Sequence, residues 1–237
     1  MIRHIHGPAG RLEALVDEPA NCQASALGID EESARLPATV KPRAAVVLGH
    51  PHPLYGGTMH TKVVFQAAKA FCRIGCGVLR FNFRGAGASE GAFDDGPGEL
   101  ADFRAALDYA AQRYPGVPLW TAGMSFGAWV ALTVGAEDDR VTAMLGIAPA
   151  LEMYDFTAVL ASEKPKFFIQ GERDELCPLK KMREFYAQLK EPRELVVIDG
   201  ANHLFDGHAS EVGEAVVDLF EDFQERPESR EPKAESR

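Results

Sequence analysis

The chain has 237 residues, enough for one α/β domain with a sizeable core or for two small domains. A hydrophobic fraction of 46% and a charged fraction of 25% are ordinary for a soluble globular protein. The formal net charge of −10 and the isoelectric point of about 5.2 argue against a nucleic-acid partner and against an anionic membrane surface.

The N-terminus and the cysteines bear on where the protein works. Residues 1–8 lack the apolar segment of a secretory signal, and no stretch of the chain reaches membrane-spanning length. Four cysteines are few for this length and do not have metal-ligand spacing. We therefore expect a cytoplasmic protein whose cysteines are reduced, with no Cys72–Cys76 disulfide.

The chain opens with β-like patterns and then becomes irregular. Residues 2–6 and 11–17 predict two strands around a Gly-Pro-Ala-Gly turn. Residues 18–42 hold three prolines and an acidic cluster, which predicts an irregular surface segment or a hairpin arm.

From residue 44 onward, strands and helices alternate. Strands are predicted at 44–49, 76–83, 117–122, 143–148, 166–170 and 194–198, and helices at 60–74, 98–114, 128–134, 179–189 and 210–224. Because the strands are apolar on both faces, the pattern predicts a doubly wound, mostly parallel α/β sheet with helices on both faces. Residues 1–224 are expected to form one domain, followed by a disordered charged tail at 225–237.

One short motif carries most of the functional information. Residues 123–127 read Gly-Met-Ser-Phe-Gly, a G-x-S-x-G pattern between a predicted strand and a predicted helix. In such a nucleophile elbow the turn is tight enough to strain the serine backbone, and side chains at either glycine position would clash. Ser125 is therefore the candidate nucleophile.

A serine hydroxyl needs a base, and that base needs an acid to orient it. Functional groups gather at the carboxyl ends of the strands, so the partners should follow late strands in the order Ser, Asp, His. Asp174 follows the strand at 166–170, and His203 follows the strand at 194–198. The same loops leave other candidates, namely Glu172, Glu175 or Asp155 as the acid and His208 as the base.

Catalysis by a serine also needs an oxyanion hole. One donor should be the backbone N–H of Phe126, directly after the nucleophile. The other should come from the loop at 49–57, where Pro51 and Pro53 have no N–H. His52 is the best-placed donor there, with Leu54 behind it. The His-x-His pair in this loop has no carboxylate or cysteine nearby in sequence, which disfavours a metal site.

The loop at 84–91 contains Gly85-x-Gly87 after a strand, which is close to a dinucleotide-binding fingerprint. Glu90 stands where the third glycine should fall, so nucleotide binding is disfavoured. Arg84 is expected to be structural and to hold this loop against the oxyanion loop.

Taken in chain order, these motifs resemble the α/β-hydrolase superfamily over residues 44–224. The His-Pro-x-Pro loop, the Arg-Gly-x-Gly loop, the elbow, the Gly-x-x-Asp acid loop and the Asn-His pair are specific in combination. The 49–58 and 80–85 runs look like a compact bacterial branch related to dienelactone hydrolases, which use cysteine at the elbow where this chain has Ser125. The resemblance implies an acyl-serine intermediate and no cofactor.

These inferences predict a serine hydrolase that cleaves short-chain carboxylic esters. A thioesterase, a peptidase or an acyltransferase with the same residues remains an alternative, as does a non-catalytic binding protein. Residues 149–165 are too few for a lid domain, so we expect an open site for small acyl esters. An edge strand or the 18–42 segment could support a homodimer. Candidates to line the acyl pocket are Met124, Leu151, Met153, Tyr154, Leu176 and Leu204.

Overall fold

The computed structural model describes residues 2–19 and 41–223, and within them the chain forms one eight-stranded sheet. The strands are β1 (Ile2–Gly7), β2 (Gly10–Asp17), β3 (Ala45–Gly49), β4 (Gly77–Phe81), β5 (Leu119–Met124), β6 (Val141–Ile147), β7 (Lys166–Gly171) and β8 (Arg193–Ile198). The helices are α1 (Lys62–Arg73), α2 (Pro97–Arg113), α3 (Phe126–Glu137), α4 (Thr157–Ala161), α5 (Leu179–Gln188) and α6 (Ala209–Phe220).

The strand order is β1-β2-β4-β3-β5-β6-β7-β8. The six strands from β4 to β8 in that order are parallel, whereas β2 pairs antiparallel with both β1 and β4. This confirms the predicted doubly wound, mostly parallel α/β fold. The parallel arrangement places the carboxyl ends of β3 to β8 at one edge of the sheet, where their loops converge.

Helices cover both faces of the sheet because the central strands are apolar on both sides. In β3, Val46 and Leu48 belong to one core cluster, and Ala45 and Val47 belong to the other. The first cluster lies under α1 and α6, and the second lies under α2, α3, α4 and α5. Two cores thus hold the central strands from both sides.

The segment between β6 and β7 contains one five-residue helix, α4, as its length predicted. The site edge therefore carries no lid domain between these two strands. Most of the predicted 18–42 segment and the predicted disordered tail at 225–237 lie outside the described residues. None of the helices in the described ranges combines the length and the apolar composition needed to cross a bilayer.

The described cysteines match the expected reduced state at two positions and depart from it at one. Cys76 and Cys177 are free, and burial raises the pKa of each thiol to about 12. Cys72, in contrast, is disulfide-bonded, so the expected reduced side chain is wrong there. Spacing along the chain does not reveal which cysteines meet in the fold.

Candidate active site

Ser125 lies at the sharp turn between β5 and α3. Its backbone has φ 55° and ψ −115°, a conformation that residues with a side chain rarely adopt. The flanking glycines are required sterically, because a Cβ at Gly123 would collide with the Gly127 backbone, and one at Gly127 would collide with the His50 carbonyl. The sequence therefore holds the Ser125 side chain at the carboxyl edge in a fixed, strained turn.

The structure brings Ser125, His203 and Asp174 together in one line of hydrogen bonds. His203 Nε2 lies 2.9 Å from Ser125 Oγ. His203 Nδ1 lies 3.0 Å and 2.9 Å from the two carboxylate oxygens of Asp174. Since an ionised carboxylate only accepts, Nδ1–H must donate to Asp174, which leaves Nε2 free to accept the serine proton.

All three side chains are shielded from water. Only 9% of Ser125 and 3% each of Asp174 and His203 is exposed. In this setting, hydrogen bonds involving the Asp174 charge are stronger than they would be in solvent. The arrangement can hold the imidazole in one tautomer and one orientation.

The Asp174 carboxylate is fixed by three further donors. Its Oδ1 accepts the backbone N–H groups of Leu176 and Cys177 at 2.9 Å and 2.7 Å, and its Oδ2 accepts Nε2–H of Gln170 at 2.8 Å. Gln170 is fully buried at the end of β7 and also donates to the Cys177 carbonyl. Sequence reasoning missed Gln170, although a glutamine in the apolar strand at 166–171 was a signal.

The alternative acids and bases make other contacts. Glu172 accepts the Gly200 N–H, Asp155 accepts the N–H and hydroxyl of Thr157, and His208 pairs with Glu211 at 2.8 Å. The Glu175 carboxylate is 3.4 Å from the backbone nitrogen of His203 and does not reach its ring nitrogens. Within the described residues, none of the four hydrogen-bonds to Ser125 Oγ.

The loop after β3 passes close to the elbow. His52 and Phe126 lie side by side, with ring centroids 5.2 Å apart. Phe126 is the first residue of α3, so its N–H has no acceptor within the helix. In the short 3₁₀ turn at Pro53–Tyr55, the Leu54 N–H donates to His52 Nδ1. That bond occupies the N–H of Leu54, the alternative donor in this loop.

His50 holds the same loop through two hydrogen bonds of its ring. Its ring is fully buried, its Nε2 accepts the Phe83 N–H at 3.0 Å, and its Nδ1 donates to the Pro51 carbonyl at 2.6 Å. Burial lowers the pKa of His50 to about 4, so the ring is neutral near pH 7. With both nitrogens occupied, His50 ties the loop after β3 to the loop after β4.

Arg84 has a structural contact, but not the predicted one. Its backbone N–H and Nε donate to Asp102 Oδ2, and Nη2 donates to Asp102 Oδ1 at 2.7 Å. The buried Asp102 lies in α2, so Arg84 holds its loop against that helix and not, as was predicted, against the loop after β3. The predicted connection between the loop after β4 and the loop after β3 is therefore made by His50 and not by Arg84.

The predicted pocket residues divide by exposure. Met124 is fully buried under the elbow, whereas Met153, Leu176 and Leu204 are more than half exposed. Leu151 and Tyr154 are partly buried and pack against the second core cluster. Across the described ranges, no three His, Cys, Asp or Glu side chains cluster as a metal site requires.

Comparison with known proteins places these features in a family. Residues 40–162 match the model of the family described as serine aminopeptidase S33. An uncharacterized protein of Rickettsia prowazekii is 32% identical over 227 residues, which cover 92% of this chain and 87% of that protein. An α/β serine hydrolase without a lid from Xanthomonas campestris is 30% identical, with TM-score 0.78 and 92% of both chains covered. An α/β serine hydrolase homologue from Coxiella burnetii is 31% identical, with TM-score 0.78 and coverage of 93% and 97%.

Proposed function

Because the chain belongs to the α/β-hydrolase superfamily, in the serine aminopeptidase S33 family, we propose that it is an esterase that cleaves short-chain carboxylic esters. The observation that carries the proposal is the unbroken line of hydrogen bonds from Ser125 through His203 to Asp174. That arrangement suits acyl transfer through a covalent acyl-serine intermediate.

In the acylation step, Ser125 Oγ attacks the ester carbonyl while His203 Nε2 takes its proton. Asp174 holds the imidazole and stabilises its positive charge. The tetrahedral intermediate then collapses, the bond to the leaving oxygen breaks, and His203 returns the proton to the departing alcohol. Acyl-Ser125 remains.

In the deacylation step, His203 takes a proton from a water molecule that attacks the acyl-serine carbonyl. The free acid leaves and Ser125 recovers its proton. We assign the backbone N–H groups of Phe126 and His52 to the oxyanion that forms in both steps. The free helix-start position of Phe126 and the contact between these two residues support that assignment.

The open edge of the sheet supports small or accessible acyl groups. Only the five-residue α4 lies between β6 and β7, so nothing in that segment covers Ser125 as a lid would. We therefore expect activity to fall for acyl chains beyond about eight carbons, because an uncovered site buries little of a long chain. A steady rise with chain length would contradict this.

A peptidase is the second candidate, and the family's description as a serine aminopeptidase favours it. The same three residues can cleave an amide, since the triad specifies acyl chemistry and not the leaving group. Amide cleavage needs His203 to protonate a poorer leaving group in the same geometry. Relative rates on matched ester and amide substrates separate the two activities.

The test compares p-nitrophenyl acetate, an acetyl thioester, and the p-nitrophenyl ester and p-nitroanilide of one amino acid, with wild-type protein and with Ser125→Ala. Ser162→Ala is the matched control, because Ser162 lies before β7 at the other edge of the sheet and its hydroxyl caps the Lys164 N–H. We expect the ester to be cleaved fastest, with a loss of about 10⁴-fold or more in Ser125→Ala only. Ester hydrolysis that persists in Ser125→Ala would refute the proposal, and faster anilide cleavage would favour the peptidase.

A further inference from the structure

A cluster of partly exposed aromatic rings lies beside Ser125, and the proposed chemistry does not use it. Its centre is the buried ring of Phe126. Besides the buried Phe83, four rings surround this centre. They are His52, Phe93, Trp129 and Tyr154, with centroids 5.2, 5.8, 5.6 and 5.5 Å from that of Phe126. Tyr55, 83% exposed, extends the cluster outward through its contact with His52 at 4.7 Å. We call these six residues the aromatic cluster.

A strained turn holds a carboxylate next to the aromatic cluster. Asp95 is exposed and has φ 54°, in the left-handed region that non-glycine residues rarely adopt. Gly96 follows with φ 119°, and a Cβ there would lie 2.7 Å from the Trp129 ring. The buried Glu99 carboxylate accepts the N–H groups of Asp94 and Gly96 at 2.9 Å and 2.8 Å, which holds the backbone of Asp95 between them.

The Asp95 side chain is exposed, and the residue after it, Gly96, packs against the Trp129 ring. Among the described residues the Asp95 carboxylate makes no hydrogen bond and no ion pair. The Asp95 charge affects two rings of the cluster. The pKa of Tyr154 is raised by burial first and by the Asp95 charge second. Burial lowers the pKa of His52 while the Glu99 and Asp95 charges oppose that shift, so the ring is neutral near pH 7. A neutral His52 does not repel a cation.

The other charged side chains at this edge of the sheet are also mainly negative. The loops that follow β3 to β8 carry many more carboxylates than cationic groups. Ten acidic residues lie in these loops against two basic ones, Arg84 and Arg173. Two of the ten, Glu90 and Glu152, pair with Arg11 and Lys181. Arg84 is neutralised by Asp102. A negative rim attracts a cationic substrate and repels an anionic one.

We propose that the aromatic cluster and Asp95 form a subsite for a positively charged ammonium group of the substrate. Aromatic faces attract alkylammonium groups through their quadrupoles, and a nearby carboxylate adds direct Coulomb attraction. The subsite rests on the proposed esterase function, since it lies next to the serine that would be acylated. It assigns the substrate class as esters with an ammonium group close to the scissile bond.

The kinetic test uses acetylcholine and its uncharged isostere 3,3-dimethylbutyl acetate, which differ in one atom and one charge. We expect kcat/KM to favour the cationic substrate by about tenfold, and the ratio to fall with added salt. Asp95→Asn should lower the ratio about threefold or more. Asp139→Asn is the matched control, because Asp139 is exposed in the turn before β6 at the opposite edge. Equal rates on both substrates, or equal effects of the two variants, would overturn the proposal.

A binding measurement separates this inference from the proposed reaction. Tetramethylammonium should change the fluorescence of Trp129 in wild-type protein and in Ser125→Ala alike, and Asp95→Asn should weaken its binding about threefold or more. Trp129→Phe identifies the signal, since Trp120 lies in the other core cluster. No saturable change would refute the subsite, whereas binding without hydrolysis of either ester would refute the esterase function alone.

Discussion

The carboxyl edge of the sheet contains two groups of side chains that differ in how firmly they are held. Ser125, Asp174 and His203 are almost fully buried. The surrounding Leu54, Tyr55, Met153, Leu176 and Leu204 are 52–83% exposed. The buried group is fixed by hydrogen bonds to its neighbours, whereas the exposed rim is held mainly by its loops. From this difference we expect the proposed chemistry to depend on the buried group and substrate choice to depend on the rim.

The largest effect is expected from a change of the buried acid, Asp174. In Asp174→Asn, an oxygen of the amide can still accept the Leu176 and Cys177 N–H groups, so the fold should persist. The amide cannot stabilise the imidazolium, and its NH₂ favours the wrong His203 tautomer. We expect kcat to fall about 10⁴-fold. Steady-state kinetics and circular dichroism check this, and near-normal kcat would contradict it.

The next effect concerns the buried imidazole of His50, in the loop after β3. His50 has a pKa of about 4 in the folded chain, below the ordinary 6.5, so the unfolded chain binds the proton first as pH falls. Stability from this group is present above pH 6.5 and is lost between 6.5 and about 4, by ~3 kcal/mol.

Denaturant unfolding of wild-type protein and His50→Gln across that pH range measures this loss. Glutamine can still accept the Phe83 N–H but does not titrate. The free energy of unfolding should therefore fall less steeply with acid in the variant. Parallel curves for the two proteins would contradict the assignment.

A smaller effect tests how firmly the acid is held. Gln170→Leu removes the amide that donates to Asp174 and to the Cys177 carbonyl. We expect kcat to fall about tenfold with KM unchanged, since one hydrogen bond to a charged group is worth roughly 1.5–3 kcal/mol. The control is Gln188→Leu, whose exposed amide donates to the Glu184 carbonyl. A change in KM alone would show that Gln170 acts on substrate binding and not on the position of Asp174.

The smallest effect is expected at the rim itself. Leu204 is 55% exposed, so Leu204→Ala should change the free energy of unfolding by less than about 0.5 kcal/mol. It removes apolar surface next to His203, and KM should rise a few-fold while kcat stays constant. Thermal unfolding and ester kinetics measure both quantities. A large loss of stability would show that the rim is also part of the core.

The sequence was sufficient for features encoded locally. The apolar strands with intervening helices predicted the sheet, and the chain order Ser125, Asp174, His203 predicted three residues that the structure brings together. Each of these signals lies in a short run, or in an order that the parallel sheet imposes.

Features that depend on contacts between distant segments were not predictable. The bond from His50 to the Phe83 N–H joins loops 33 residues apart, and Arg84 finds Asp102 on α2. Neither partner has a local pattern that identifies it. The disulfide of Cys72 was missed for the same reason, because only the folded chain determines which thiols meet.

The most direct test of the central claim is stoichiometric labelling with a fluorophosphonate, followed by mass mapping of the modified residue. An activated serine reacts with this reagent, whereas an ordinary hydroxyl does not. We predict one label per wild-type chain, on Ser125, no label in Ser125→Ala, and much slower labelling in His203→Gln. Labelling at another residue, or none in wild-type protein, would contradict the assignment of Ser125 as the nucleophile.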